Sequence, residues 1–386
     1  MSLHKLIAPY PADVFISDYF EKQYLHLRRN DPSYFADLHG DLDLEHQIWR
    51  HSAQWGDVSL ARAGTAPADN IYADRPPSVN TVAAAFGNGY TVVVNNYQQK
   101  SPRIASFCRE VEKYFCFRCN VNLYLTAARC KGLGAHYDDQ DVFVMQLDGE
   151  KTWRVYEGGP LLPLEDQPYD CPDTAALPFV EIVLRPGDVL YLPRGFIHEA
   201  HTEREQSLHI TLSVSAVRQV TLIKQLLQRA AAANSDLRRS ISFRNLRERT
   251  PDPGQREMST LKNVVFGLGQ ADMRQVVSDF QDRFLHAVSR LPNERLRIRD
   301  NARGVTIESP LQVMEDQICV VSGTVGACTL KFIGGQIPLS EDLFDAARFV
   351  CEKKRFQVSE IAGELSDAQK VAFAGFLIDH GVLTHA

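Results

Sequence analysis

The 386-residue chain lacks three features that would place it in a membrane or outside the cell. It has no run of about eighteen consecutive apolar residues, the length that crosses a bilayer as a helix. Residues 1–10 lack the basic-then-apolar order of a signal peptide. The 8 cysteines are scattered, and the one close pair, Cys116 and Cys119, has no second pair to complete a zinc site. We therefore expect a cytoplasmic protein with reduced thiols and no membrane partner.

An excess of positive charge is also absent. The formal net charge is -6, from 42 Lys and Arg against 48 Asp and Glu. Because binding to nucleic acid needs clustered basic residues, we do not expect direct nucleic-acid binding, whereas a basic protein remains a compatible partner. The hydrophobic share of 44% is ordinary for a globular protein, and the length favours two or three domains.

From residue 120 onward the apolar residues alternate, which is typical of half-buried strands. The pair Asp148-Gly149 has the composition of a tight hairpin turn. Short strands joined by Gly, Pro and Asp turns predict a closed antiparallel jelly roll of the cupin kind within an α+β protein. The predicted strands are residues 121–125, 142–147, 151–156, 180–184, 189–192 and 207–215.

Within this β region, three residues have the pattern of a metal site. His136 and Asp138 are separated by one residue, so on an extended strand their side chains point to the same face. His198 closes a downstream PGDxxYxPxGxxH segment. Two imidazoles and one carboxylate are the facial triad that leaves open positions on Fe(II) for a co-substrate and oxygen. Each histidine alone is more commonly a surface or core residue, but the combination favours a metal centre.

Three segments resemble the JmjC-type ribosomal oxygenases, a branch of the cupin superfamily. They read HYDD at 136–139, FVMQLDGEKTWR at 143–154 and LYLPRGFIHEA at 190–200. The resemblance implies a dioxygenase that uses Fe(II), 2-oxoglutarate and O2 to hydroxylate a side chain of a ribosomal protein. By position it implies that His136, Asp138 and His198 are the catalytic iron ligands.

The resemblance also implies the co-substrate residues. Lys151 matches the basic residue that pairs with the distal carboxylate of 2-oxoglutarate, and an inward lysine on an apolar strand is costly unless it meets an anion. Asn122, Tyr124 and Ser213 resemble positions that line the co-substrate pocket. The bacterial arginine hydroxylases of the family are expected to carry Arg at the position of Lys151, and the histidine-hydroxylating branch Lys. The target side chain therefore stays open between His and Arg.

The same resemblance implies three domains and a homodimer. A double-stranded β-helix (jelly-roll, JmjC/cupin) catalytic domain takes residues 1–216, a helical dimerisation region 217–300 and a winged-helix-like domain 301–386. A winged helix often binds DNA, but its candidate third helix carries only Lys370 as a basic residue, so we expect a structural or protein-contacting role.

Helices are predicted at 217–233, 261–268, 273–291, 343–351, 358–365 and 368–380, and strands at 305–307, 328–332 and 381–383.

Three other functions use similar residues and stay open at this point. A JmjC-type lysine demethylase has the same core chemistry. A small-molecule hydroxylase would not need the regions after residue 216. A non-catalytic cupin that binds a partner would show neither metal binding nor 2-oxoglutarate binding.

Overall fold

The structure is a computed structural model that describes residues 2–39, 58–63, 78–168, 170–240, 254–269, 273–288, 304–324 and 327–386. The described residues up to 216 form one compact unit, and those from 217 onward form a second. Both units combine antiparallel sheets with helices, so the chain is an α+β protein. No helix in these described ranges has the length and apolarity to cross a bilayer. The predicted domain boundary at residue 300 lies outside the described residues.

The first unit contains helices that cover its β structure. Helix α5 begins at Ser101, whose side chain accepts a hydrogen bond from the backbone N–H of Ile104, and Pro102 occupies its first turn. Its buried face packs into the main core through residues such as Phe107 and Val111. The helices are α1 Ser2–Ile7, α2 Ala12–Val14, α3 Ala36–His39, α4 Val79–Gly87 and α5 Pro102–Phe115, and a π-helical turn spans Phe15–Tyr19.

Among its described residues, the first unit has ten strands in two antiparallel sheets. They are β1 Leu25–Leu27, β2 Val58–Ala61, β3 Thr91–Val94, β4 Arg118–Thr126, β5 Asp141–Asp148, β6 Lys151–Tyr156, β7 Phe179–Leu184, β8 Val189–Leu192, β9 His198–His201 and β10 Ser207–Ser215. The larger sheet has the order β1-β8-β5-β10-β4-β3-β2, and the smaller has the order β7-β6-β9. These two sheets confirm the predicted antiparallel double-sheet architecture.

The centre of the larger sheet is its most buried part. Strand β10 pairs with β4 on one side and with β5 on the other, so that Ile210 lies opposite both Leu123 and Met145. All three side chains are fully buried. Strand β9 was not predicted, because its sequence, His-Glu-Ala-His, has no apolar alternation. Its pairing with β6 comes from the tertiary fold.

The predicted hairpin between β5 and β6 turns at Gly149, which has φ of 63°. A Cβ atom at this position would lie 1.9 Å from the backbone oxygen of Gln206. We expect Gly149→Ala to lower the free energy of unfolding by about 1–3 kcal/mol, because it combines a left-handed backbone with a clash. Chemical denaturation measures this. Gly87→Ala is the matched control: no atom lies within 4 Å of its added Cβ and Gly87 lies in helix α4, so this substitution should not lower the free energy of unfolding.

The described part of the second unit contains two three-stranded antiparallel sheets, one in the order β15 (Arg355–Gln357), β11 (Pro310–Val313), β16 (Leu383–His385) and the other in the order β12 (Cys319–Thr324), β13 (Ala327–Phe332), β14 (Gly335–Leu339). Their common core includes Leu311 from the first sheet, Leu330 from the second and Val350 and Leu377 from helices. The elements are α6 Gln219–Ala233, α7 Gly254–Gly269, α8 Met273–Ala287, β11 Pro310–Val313, β12 Cys319–Thr324, β13 Ala327–Phe332, β14 Gly335–Leu339, α9 Phe344–Glu352, β15 Arg355–Gln357, α10 Asp367–Asp379 and β16 Leu383–His385.

Two local predictions for this unit were wrong. Residues 305–307, predicted as a strand, form a turn in which the backbone N–H of Thr306 donates to the side chain of Ser309 rather than to a neighbouring strand. Residues 358–365, predicted as a helix, form only the 3-10 turn Val358–Glu360. Gly363 follows with φ of 104°, a backbone conformation that a helix does not contain.

Candidate metal centre and co-substrate cavity

A cavity of about 200 Å³ lies between the two sheets of the first unit. Side chains of both sheets line it, because alternate residues of each strand point to the space between the sheets. One end is lined by His136, Asp138 and His198. Lys151 and Thr91 line another part, and the rings of Tyr124, Trp153 and His209 form walls. The cavity therefore combines a potential metal site with a potential anion site.

The predicted ligands come together at the metal end. One donor atom from each of His136, Asp138 and His198 lies within 4.8 Å of the others. The His136 Nε2 atom is 4.0 Å from Asp138 Oδ1, and the His198 Nε2 atom is 3.8 Å from Asp138 Oδ2. These three residues are the only such metal-binding cluster within the described ranges of the chain. Two imidazoles and one carboxylate suit a divalent transition metal such as Fe(II).

The backbone fixes the two histidines relative to each other. The N–H of His136 donates to the carbonyl of His198 at 3.0 Å, and the N–H of His198 donates to the carbonyl of His136 at 2.7 Å. Each Nδ1 atom lies within hydrogen-bond distance of a carbonyl, 2.8 Å from Gly134 and 2.9 Å from Phe196. A proton on Nδ1 leaves the Nε2 lone pair free for a metal, so the donor set fits a resident ion.

His198 is prepared to act as a neutral ligand. Burial, followed by the neighbouring His136, lowers the pKa of His198 to about 4. A neutral imidazole is the form that binds a metal. The three candidate ligands differ in exposure: the side chain of His198 is 6% exposed, while those of His136 and Asp138 are 26% and 39% exposed. The metal end consequently opens to solvent on the side of His136 and Asp138.

A buried charge network supports the loop that leads to His198. Arg194 forms ion pairs with Glu21 and, at 3.1 Å, with Asp141, which also accepts a hydrogen bond of 2.6 Å from the hydroxyl of Tyr191. The next residue, Gly195, donates its N–H to the carbonyl of Asp138 at 2.9 Å. These contacts hold the two ligand-bearing segments together, as supporting groups around metal ligands commonly do.

Lys151 points into the cavity and is 3% exposed. Its Nζ atom donates to the hydroxyl of Thr126 at 2.9 Å, and that hydroxyl lies 3.0 Å from the hydroxyl of Thr91. Burial lowers the pKa of Lys151 to about 7. Among the described residues no carboxylate forms an ion pair with it. A buried amine without an anion is a strong candidate for binding a ligand carboxylate.

The three other predicted pocket residues differ in position. Tyr124 lines the cavity. Burial raises the pKa of Tyr124, so its hydroxyl stays protonated and can donate. Asn122 lies outside the lining and accepts a hydrogen bond of 3.1 Å from the backbone N–H of Asn96. Ser213 also lies outside the lining, and its hydroxyl donates to the carbonyl of Asn120 at 3.3 Å.

Several cavity residues were not predicted as site residues. Their one sequence signal is the period of two, which places His209 and Thr211 on one face of β10. Thr91 and Thr126 sit on β3 and β4 and come together only in the folded sheets. No sequence pattern points to Gly132 as a cavity residue. In the structure it lies beside the cavity, since a Cβ added there would be 3.1 Å from the hydroxyl of Thr91 and 3.9 Å from Lys151 Nζ.

The sequence of this unit matches a known domain family. Residues 93–222 match the JmjC domain family. Human ribosomal oxygenase 1 is 34% identical over 218 residues, which cover 54% of this chain and 33% of the human protein. A Drosophila willistoni protein, bifunctional lysine-specific demethylase and histidyl-hydroxylase NO66, is 28% identical over 326 residues, covering 78% of this chain and 42% of that protein. The chain thus spans less than half the length of these curated relatives.

Solved structures show the same fold. A structure of the Escherichia coli ribosomal oxygenase YcfD, in complex with cobalt and 2-oxoglutarate, has a TM-score of 0.55 and 16% identity, and covers 97% of this chain and 98% of that one. A second structure of YcfD gives a TM-score of 0.53 at 18% identity, with 98% of both chains covered. At these identities the likeness concerns the fold.

Proposed function

We propose that this chain, which belongs to the JmjC-domain proteins, is an Fe(II)- and 2-oxoglutarate-dependent oxygenase that hydroxylates a histidine or arginine side chain of a ribosomal protein. The observation that carries the proposal is one cavity that contains both the ligand set His136, Asp138 and His198 and the buried amine of Lys151. A facial triad alone fits many metal enzymes. A buried lysine in the same cavity adds recognition of a carboxylate.

Each residue of the cavity has a distinct task. The imidazoles of His136 and His198 and the carboxylate of Asp138 would hold Fe(II), which supplies the oxidative chemistry when bound with 2-oxoglutarate and O2. Lys151 pairs with the distal carboxylate of the co-substrate, and the Tyr124 hydroxyl donates a hydrogen bond inside the same cavity. The rings of Tyr124, Trp153 and His209 keep water away from the inner part of the cavity, while the metal end stays open to solvent on the side where the target enters.

The overall reaction balances as 2-oxoglutarate, O2 and a C–H bond giving succinate, CO2 and a C–OH bond. The target side chain enters on the solvent side of the metal end, beside the partly exposed His136 and Asp138. His198, on the buried side, is inaccessible to a protein substrate. This asymmetry assigns the inner part of the cavity to the co-substrate and the outer part to the target.

The surroundings of the opening suit a basic protein. The loop of residues 157–178 has five carboxylates and no lysine, arginine or histidine. It packs against the ligand-bearing segments, since the backbone N–H of Asp170 lies 3.3 Å from the hydroxyl of Tyr137, and the Sγ atom of Cys171 lies 3.6 Å from the carbonyl of Ala135. Ribosomal proteins are rich in Lys and Arg, so charge complementarity supports a ribosomal target. The exposed carboxylates are Glu157, Glu165, Asp166, Asp170 and Asp173.

The function is tested with Fe(II)-loaded full-length protein, 2-oxoglutarate and a panel of ribosomal proteins. We expect succinate release that depends on one member of the panel, and a gain of one oxygen atom on a His or Arg of that protein by mass spectrometry. Loss of a methyl group from a lysine would instead show that this chain is a lysine demethylase, the activity named for the Drosophila willistoni relative. Succinate release with free amino acids alone would favour a small-molecule hydroxylase. Absence of both metal and 2-oxoglutarate binding would leave a non-catalytic cupin.

We further propose that the chain forms a homodimer through the helices of its second unit, and that a winged-helix-like domain follows them in a structural or protein-contacting role. Apolar side chains are exposed at one-turn spacing on α6, α7 and α8, as expected for an interface. The exposed residues are Ile223 and Leu227 on α6, Met258 and Leu261 on α7, and Met273 and Val277 on α8.

We place the protein in the cytoplasm, because the five cysteines of the first unit are free thiols.

Leu261→Glu should separate the proposed dimer. Leu261 is 55% exposed, and a carboxylate there would be buried without a partner if α7 lies in the interface. We expect the dimer dissociation constant to rise by at least about 100-fold, measured by sedimentation or light scattering. Asn263→Glu, at a polar and exposed position of the same helix, adds the same single negative charge and is the matched control. A wild-type monomer, or a Leu261→Glu protein that stays dimeric, would contradict the proposal.

A further inference from the structure

His209 is a buried cavity residue to which the proposed reaction gives no role. It lies on β10, lines the cavity and is 2% exposed. Its Nδ1 atom is buried and has no hydrogen-bond partner among the described residues. A buried polar nitrogen without a partner destabilises a protein, and a histidine ring that lines a cavity can gain a partner at its accessible edge when a ligand binds.

The ring of His209 is held rigidly. It stacks on the ring of Tyr124 with centroids 4.8 Å apart and planes at 1°, and it meets Trp153 at 5.6 Å in an edge arrangement of 79°. Tyr124 lies directly opposite His209 in the pairing of β10 with β4. Such a clamp fixes where the ring nitrogens point before any ligand binds, which reduces the entropic cost of recognition.

The surroundings of His209 favour an anion. Burial and the charge of Lys151 hold the pKa of His209 well below its usual range, so the ring is neutral and carries one N–H donor. The Nζ atom of Lys151 lies 5.9 Å from the ring of Trp153, the same ring that His209 contacts. Asp138 is the only carboxylate among the described residues that line this cavity, and it belongs to the metal end. The region of Lys151 and His209 therefore offers donors without a competing acid.

We propose that His209 is a second recognition residue for the distal carboxylate of the co-substrate, to which its ring N–H donates a hydrogen bond while Lys151 supplies the charge. This rests on the proposed function, since it assumes a dicarboxylic 2-oxo acid in the cavity. A carboxylate has two oxygens and accepts from several donors at once. With two donors, the site discriminates 2-oxoglutarate from 2-oxopentanoate, which has a methyl group in place of the distal carboxylate.

The test compares the binding of these two acids to full-length protein loaded with Mn(II) in the absence of O2, by titration calorimetry. We expect His209→Phe, which keeps a ring to stack on Tyr124, to weaken 2-oxoglutarate binding by about 10- to 100-fold, the loss of one hydrogen bond to a charged group. The affinity for 2-oxopentanoate should be unchanged. His209→Gln, which keeps an N–H donor, should recover part of the loss. His201→Phe, outside the cavity lining on β9, is the matched control.

The outcomes separate this inference from the proposed function. An equal loss for both acids in His209→Phe would mean that His209 only shapes the cavity, and no loss for either would mean that it makes no contact; each result overturns the inference. A wild-type protein that binds neither acid would overturn the proposed function itself. A selective loss for 2-oxoglutarate supports both.

Discussion

We expect His136→Ala to abolish succinate release by the Fe(II)-loaded protein and to weaken metal binding by more than about 100-fold. Changes to residues that merely support metal ligands typically cost 10–100-fold, and His136 is itself a ligand in the proposed centre. The remaining pair, Asp138 and His198, has too few donors to hold the ion in a fixed geometry. Metal content by mass spectrometry and succinate release in the same preparation measure the effect.

The matched control is His201→Ala. His201 lies on the same strand as His198 but does not line the cavity, so this protein should bind metal and turn over as the wild type does. The His136→Ala protein should keep its fold, because the two hydrogen bonds that join residue 136 to His198 are made by the backbone and remain after the substitution. Retained turnover in a His136→Ala protein whose metal content matches the wild type would rule out the proposed centre.

The clustering of His136, Asp138 and His198 was predictable because these residues leave a signal in the sequence. His136 and Asp138 are two residues apart, and His198 ends a segment whose turn residues and apolar residues alternate as a strand-turn-strand passage does. The alternating strands of the first unit were predictable for the same reason, since burial of one face imposes a period of two. The HxD pattern did not reveal that Nδ1 of each histidine faces a carbonyl, which depends on the loops around residues 134 and 196.

The rest of the cavity depends on contacts between distant strands. Thr91 and Thr126 are 35 residues apart, and their hydroxyls meet only because β3 pairs with β4. Asn122 and Ser213 share strand faces with cavity residues, but a shared face does not decide how far along the strand the cavity extends. In the sequence, His209 is one of several polar residues on one face of β10, a pattern that is typical of any half-exposed strand. Its isolation from every described hydrogen-bond partner becomes visible only in the fold.

Lys151→Met should weaken 2-oxoglutarate binding on the order of 100-fold, because it removes the charged partner of a buried carboxylate and keeps most of the side-chain volume. Binding of 2-oxopentanoate, which has no distal carboxylate, should be nearly unchanged. Calorimetry with Mn(II)-loaded protein measures both. If Lys151→Met bound 2-oxoglutarate as tightly as the wild type, the distal carboxylate would have to lie elsewhere.

The pKa of Lys151, about 7 in the protein without ligand, adds a pH dependence with a definite sign. Above pH 7 the amine is mostly neutral, so pairing with a carboxylate requires uptake of a proton. The affinity for 2-oxoglutarate should therefore fall by up to about tenfold per pH unit above 7, and calorimetry in two buffers of different ionisation enthalpy should detect the proton. Lys151→Met should remove both effects.

The same shift predicts the stability of the ligand-free protein. The pKa in the folded state lies below the ordinary value of 10.5, so protonation favours the unfolded state. The resulting penalty is complete below pH 7 and disappears as the pH rises towards 10.5, so the free energy of unfolding should gain a contribution that increases across this window. Urea denaturation at several pH values, with Lys151→Met as reference, isolates that contribution. Saturating 2-oxoglutarate should reduce or abolish the rise, because the bound carboxylate keeps the amine charged.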